Sequence, residues 1–193
     1  MPATPRGDGV VDASKDGAPS KGDPVDVAIL DQGATTDALQ PGVLTDNHDG
    51  TLSDSGTGLM WQSKATSAYT DQQSASNACK NLTLADQSDW RLSTLAELRS
   101  LVVGCPATMS NGACDIVAGC VTCGNDACHG CTDWAGHGAD GCYLDPLFSG
   151  SCTYFWSSDS VTGNEVFAWG VHFYNGRVSG FQKVDVNPYV CVR

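Results

Sequence analysis

The sequence predicts an α+β domain made of two short helices, several short strands and a cysteine-rich loop insertion. Three observations carry that expectation. Two capping signatures, Thr70 with Gln73 and Thr94 with Glu97, each head an apolar stripe at helical spacing. Alternating apolar runs bounded by Asp, Asn and Gly lie on both sides of the helices. Ten Cys, all between Cys79 and Cys191, include eight within residues 105–152.

The first 42 residues stand apart from this domain. They contain no aromatic residue and no Glu, but seven Asp among Pro, Gly, Ala and Ser. Such a segment cannot bury enough surface to offset chain entropy, so residues 1–42 read as a disordered tether. Val25 to Leu30 is its one apolar patch, expected to form a transient strand or nothing. The net charge of −12 divides as −4 in the tether and −8 in residues 43–193. An acidic chain without a Lys/Arg cluster is repelled by a phosphate or sulfate backbone, which argues against nucleic acid and sulfated glycan as partners. No apolar run reaches the length of a membrane span or a signal-peptide core. A Pro/Asp/Gly-rich tether before a Cys-rich domain is what remains once an export or lipoprotein signal is removed. A signal peptide and a lipid-anchored Cys upstream of residue 1 are therefore the expectation, with an extracellular, cell-surface or periplasmic location.

Residues 45–61 read as two short strands joined by Asp/Ser/Gly turns. Asp46, His48 and Gly50 fall at the first, third and fifth positions of a would-be calcium loop, which needs oxygen ligands at all three, so the pattern is not met. Thr70 and Gln73 open a helix of about 71–82, with Ala75, Ala78, Cys79 and Leu82 on its apolar face. Trp90 and Leu92 alternate in an extended entry that leads to the capped helix at Thr94. Leu95, Leu98, Leu101 and Val102 form the stripe of that second helix, and Gly104 stops it. Arg91 lies between Asp89 and Glu97 as partners, and the charge group reads as a structural clamp.

The insertion, about residues 104–152, has almost no periodicity and reads as a loop held by covalent bonds rather than by a core. An even number of Cys at this density favours disulfides and an oxidising compartment. Cys120-x-x-Cys123 and Cys128-x-x-Cys131, with His129 and His137 nearby, have the form of half-knuckles of a zinc site. Only four residues separate them, however, and Cys105, Cys114, Cys142 and Cys152 would be left without partners. Neither pair opens a helix after a strand, as a thioredoxin-like motif does, and neither is followed by His, as covalent haem attachment requires. A bond between Cys79 and Cys191 would close a loop of over a hundred residues and stabilise by about 4–5 kcal/mol in the chain-entropy model.

After Cys152 the chain turns to strands. Thr153 to Ser158 is an aromatic run, and Glu165 to Tyr174 places Phe167, Trp169, Val171 and Phe173 on one face. Ala168, Gly170, His172 and Tyr174 fall on the other, with His172 and Tyr174 as surface candidates and Trp169 and Phe173 as core. Asn175-Gly176 signals a hairpin returning through Arg177, and Tyr189 to Arg193 is a last strand.

Asp49-Gly50-Thr51, Thr57 to Trp61, Cys79 on a helix, Asp89-Trp90-Arg91-Leu92 with Glu97-Leu98, Trp156-Ser157-Ser158, Ala168-Trp169, Asn175-Gly176 and Cys191-Val192-Arg193 occur in this order. The ordered run resembles the Lcl C-terminal domain family over about residues 44–193. That family is similar in fold to the C-type-lectin-like domains, nearest to the formylglycine-generating-enzyme branch. The resemblance implies two helices packed on a twisted, mostly antiparallel sheet, and a Cys79–Cys191 bond tying the first helix to the last strand. The position after Leu92 is usually Pro in the family and is Ser93 here, which softens the helix entry without removing its cap. The eight-Cys segment exceeds the family pattern and is expected to form a separate stapled excursion.

The family's named member is the terminal domain of a collagen-like adhesin that binds sulfated glycans, a ligand the acidic charge here argues against. The enzyme branch needs a reactive cysteine pair in a copper-binding groove, and no such pair maps onto this chain. The expectation is a non-catalytic, adhesin-like ligand-binding module without a cofactor, its ligand a glycan or a protein. Candidate contacts are Trp134 in the insertion and His172, Tyr174, Asn175 and Arg177 at the hairpin, with Trp90, Arg91, Thr94, Glu97, Trp156 and Trp169 structural. The alternatives are a structural cell-envelope protein and a zinc-binding or redox protein using the clustered Cys.

Overall fold

The structure, a computed structural model, describes residues 42–149 and 152–193. The tether expected over residues 1–42, with its Val25 to Leu30 patch, lies outside the described residues except for Gly42. Among the described residues eight strands form two antiparallel sheets. The first contains β1 (Leu44–Asp46), β2 (Thr51–Asp54), β3 (Met60–Gln62), β4 (Arg91–Leu92) and the C-terminal β8 (Cys191–Val192), in the order β1-β2-β3-β8-β4. The second is a meander of β5 (Tyr154–Val161), β6 (Asn164–His172) and β7 (Arg177–Gln182). Two sheets thus replace the single one implied by the family resemblance. The short β8 pairs with β3 and β4 through Val192 and Cys191, while the longer meander is hydrogen-bonded only within itself as a sheet.

The helices are α1 (Gln72–Lys80) and α2 (Leu95–Ser100). The cap of α1 is Asp71, not Thr70: the Asp71 carboxylate accepts the Ser74 N–H at 2.8 Å, while Thr70 exchanges two backbone hydrogen bonds with Asn187. The Thr70 carbonyl is taken by the Asn187 N–H and the Trp156 Nε1–H, so the first intrahelical bond runs from the Ala75 N–H to the Asp71 carbonyl and the start moves one position along. Ala75 and Cys79 are buried as the stripe predicts, Leu82 is half-buried beyond the helix end, and Ala78 faces solvent. In α2 the capping box forms as read. Thr94 Oγ1 accepts the Glu97 N–H at 3.2 Å and Glu97 Oε2 accepts the Thr94 N–H at 2.7 Å.

The meander lies between two hydrophobic clusters, one on each face. Phe155, Val171, Phe173 and Val178 join Trp61, Leu95, Leu98 and Val190 in the larger cluster. Tyr154, Trp156 and Ala168 face the other way, onto Ala75 and Cys79 of α1 and Trp90, Leu92 and Cys191 of the first sheet. Burial on both faces explains why β6 reads as a nearly continuous apolar run. Gly170 is required by a close approach, since a Cβ there would lie 2.6 Å from the Tyr154 ring, whose hydroxyl donates to the Ser179 carbonyl at 2.7 Å.

All ten Cys are joined, as Cys79–Cys191, Cys105–Cys131, Cys114–Cys128, Cys120–Cys123 and Cys142–Cys152. The first bond is the one the family resemblance implied. The described residues of the insertion contain two 3₁₀ turns, Asp126–His129 and Ala139–Gly141, and no strand of either sheet. It is not a separate excursion: Cys105, Cys114, Ile116, Cys128, Cys142, Tyr143, Leu144 and Phe148 are all buried in the larger cluster. Its early half is wrapped around Arg99 of α2, which is 2% exposed. Arg99 Nε donates to the Thr108 carbonyl at 2.9 Å, Nη1 to Ile116 at 2.9 Å, and Nη2 to Cys114 at 3.1 Å and Met109 at 3.3 Å. A core contribution and a buried cation together organise a segment without periodicity of its own.

Candidate functional site

Of the five Trp, Trp61, Trp90 and Trp156 are at most 2% exposed and Trp169 is 8% exposed, whereas Trp134 is 57% exposed. An exposed Trp is ordinary on a loose loop, but this one is pinned. Its backbone has φ 57°, a left-handed conformation that costs a bulky L-residue about 1–3 kcal/mol and persists only where its surroundings over-determine it. The surroundings do so here. The Trp134 N–H donates to the Tyr174 carbonyl at 2.8 Å and the Cys131 N–H to the Asn175 carbonyl at 2.7 Å. Tyr143 Oη donates to the Thr132 carbonyl at 2.8 Å, and Cys131 is bonded to Cys105. Gly141 packs so close to the Trp134 carbonyl that a Cβ would sit 2.2 Å from its oxygen.

The insertion thereby carries Trp134 onto the hairpin, uniting candidates that the sequence placed in two regions. The Trp134 and Tyr174 rings lie 5.4 Å apart at 33°. Tyr174 meets His172 edge to face at 4.4 Å, and His172 continues to Tyr154 at 5.4 Å. The result is an aromatic row that begins in solvent at Trp134 and ends in the smaller core at the buried Tyr154.

The hairpin itself differs from expectation. The β6–β7 register pairs His172 with Arg177, so the connection has four residues, 173–176, rather than the two of Asn175-Gly176 alone. Asn175 is 7% exposed. Its Oδ1 accepts the Arg177 N–H at 3.1 Å and its carbonyl holds Cys131, so it shapes the turn and is not a surface contact. His172 is half-buried, with Nδ1 buried and unpartnered. Burial first, then the Arg177 charge, lowers its imidazole to about 4, against an opposing pull from Asp133. It is therefore neutral at physiological pH. Tyr174 is half-buried and Arg177 exposed. The open part of the row is Trp134 and the Tyr174 ring, with Asp133 and Arg177 at its rim.

The clamp predicted around Arg91 is present with one partner changed. Arg91 Nη1 meets Glu97 Oε2 at 2.7 Å in a two-armed pair, while Asp89 binds Arg193 Nε at 2.6 Å. Burial works to raise the Glu97 carboxyl, but the hydrogen bonds from Arg91 and Thr94 outweigh it and hold it below the usual range. The clamp ties α2 to β4. Cys120, Cys123, Cys128 and Cys131 are divided among three disulfides, so the zinc arrangement of four thiolates is not formed. Among the described residues no group of three or more His, Cys, Asp or Glu is placed to hold a metal. A cleft of about 390 Å³ lies elsewhere, along Thr45, Ser53, Asp54, Leu59, Met60 and Arg193. Its charged groups are already engaged, Asp54 by the Gly56 amide and Arg193 by Asp89.

Sequence reading named Trp134 but missed Arg99, which places the insertion carrying it. An Arg in the last turn of a short helix looks like an ordinary favourable charge at a helix terminus. Only its position beside Leu98, on a six-residue helix buried almost all round, distinguishes it.

A disulfide-stapled α+β module with an aromatic row at one surface is the class these features define. Residues 50–193 match the model of the Lcl C-terminal domain, and the chain belongs to that family. Comparison with the curated proteins and with the solved structures returned no match. Among the described residues no helix is long and apolar enough to cross a membrane.

Proposed function

We propose that this chain is a non-catalytic, adhesin-like ligand-binding module that works outside the cytoplasm, at the cell surface, in the periplasm or in the extracellular space. Its ligand, a glycan or a protein, is met at the open face of Trp134 and Tyr174, with Arg177 and Asp133 at the rim. The observation that carries this reading is the exposed Trp134 held on a left-handed backbone by two elements of the fold. Strain retained at an exposed aromatic residue gains nothing for the core, and an immobilised ring loses little entropy on binding. Five disulfides support an oxidising compartment. The likeness to C-type-lectin-like domains belongs to the same reading and is supported by antiparallel sheets with the first helix bonded to the last strand.

The test is capture on glycan and peptide arrays by the native chain and by Trp134→Ala, with thermal melts run in parallel. Capture by the native chain that falls tenfold or more in the variant, at an unchanged melting temperature, is the expected result. Equal capture by both chains, or none by either, would overturn the assignment.

A further inference from the structure

Resting on the ligand-binding reading above, we infer that the Trp134 face takes a cationic partner, an Arg- or Lys-bearing segment of another polypeptide, rather than a sugar. The argument is charge complementarity around an exposed π-face. Residues 104–152 contain five Asp and not one Glu, Lys or Arg. Asp115, Asp126, Asp133 and Asp140 are exposed and Asp145 is half-buried. Two of these belong to the segment that holds Trp134. Asp133 precedes Trp134 in the chain, and Asp140 precedes Gly141, the residue packed against the Trp134 carbonyl. Arg177 is the basic residue on the hairpin side. It stands directly opposite His172 in the β6–β7 register, one positive charge at the rim against the five Asp of the insertion, and the His172 imidazole adds none at physiological pH.

An indole face attracts a guanidinium or ammonium group through its quadrupole, and neighbouring carboxylates add to that attraction while repelling phosphate and sulfate. Arg suits the site better than Lys, because its planar group can stack on the tilted Trp134–Tyr174 pair and its forked N–H groups match a carboxylate. The whole described domain supports the same sign of partner, since residues 43–193 carry −8. Long-range steering would therefore favour a basic segment before contact is made.

Trp134 provides its own reporter, being the one Trp of the five with substantial exposure. A synthetic hexa-arginine peptide is titrated against the full chain with tryptophan fluorescence followed in the native protein, and the affinities of the native and variant chains are compared by calorimetry, which does not depend on the ring; neutral and sulfated glycan arrays are run on the same material. Binding that weakens about tenfold in Trp134→Ala and severalfold in Asp133→Asn/Asp140→Asn supports the inference, with melts unchanged in both variants. It should also weaken as salt rises from about 20 to 200 mM. Peptide binding unaffected by Trp134→Ala would be diffuse charge attraction and would overturn it. Trp134-dependent capture of a glycan without peptide binding would overturn the cationic partner and leave the ligand-binding reading standing. Failure of every probe to bind in a Trp134-dependent manner would remove both.

Discussion

Arg99 Nη1 donates to the carbonyl of Ile116 at 2.9 Å, across 17 positions of sequence and inside the protein. With the Thr108, Met109 and Cys114 carbonyls on its other nitrogens, Arg99 is the centre about which the first half of the insertion is wound. Replacing it by Ala strips four acceptors of a charged donor at once, three of them through buried contacts. Arg99→Ala is expected to destabilise by about 3 kcal/mol or more, read as a lower denaturant midpoint, with new protease cleavage between residues 105 and 128. Arg99→Lys should recover part of the loss, since one ammonium can serve only some of the four carbonyls.

The Thr94–Glu97 box and the Arg91–Glu97 pair share one carboxylate. Thr94→Ala should cost about 1 kcal/mol through the lost cap. Glu97→Gln should cost about 1–3 kcal/mol because it also leaves Arg91 without its counter-charge. The Glu97 carboxyl is held below its usual range, so its contribution is complete above the ordinary Glu pKa and disappears as pH falls through the lower folded value. Urea titrations of native and Glu97→Gln chains should therefore converge at low pH. By contrast, Asp89→Asn, at the exposed pair with Arg193, should leave the midpoint where it is.

His172 titrates in the opposite environment. Its folded value near 4 lies below the ordinary His value of 6.5, so the unfolded chain takes up a proton that the folded chain refuses. Stability should fall as pH drops from about 6.5 towards 4, and the effect stops once both states are protonated. Half-burial screens the shift, so the slope should be modest. The imidazole NMR titration gives the value directly, and His172→Phe should flatten this limb of the stability profile. An imidazole that titrates near 6.5 would show that the ring is not held as described.

The disulfides should differ in what they contribute. Cys79–Cys191 spans 112 positions and Cys120–Cys123 spans three. In the chain-entropy model the paired Ser substitution costs about 5 kcal/mol at the first and about 2 kcal/mol at the second. Intact mass of the native chain should lie ten hydrogens below that of the reduced chain, with no thiol reacting with alkylating reagent before reduction.

The helix at Thr94 was legible because every group in its cap lies within four residues, where chain connectivity alone brings donor to acceptor. The same local logic failed by one residue at α1. Thr70 and Asp71 are both good caps, and a bridge to Asn187, far along the chain, decided between them. Trp134 and Tyr174 were each named, yet nothing in the periodicity of either segment could say that their rings would meet. Asn175 was misjudged as a surface contact because turn chemistry and burial are independent properties, and only the insertion lying over the hairpin buries it.

By itself the sequence determined the α+β class, the two helices, the cysteine-bonded character of the insertion and its one-signed charge, because these follow from residue type and short-range spacing. The tertiary structure decided the pairing of eight cysteines, the transfer of Asp89 from Arg91 to Arg193 across 104 positions, and the burial of Arg99. It also brought Trp134 to the hairpin. Such contacts join segments whose local preferences are indifferent to one another, so their formation depends on how the chain closes around a shared core rather than on any pattern within a single stretch.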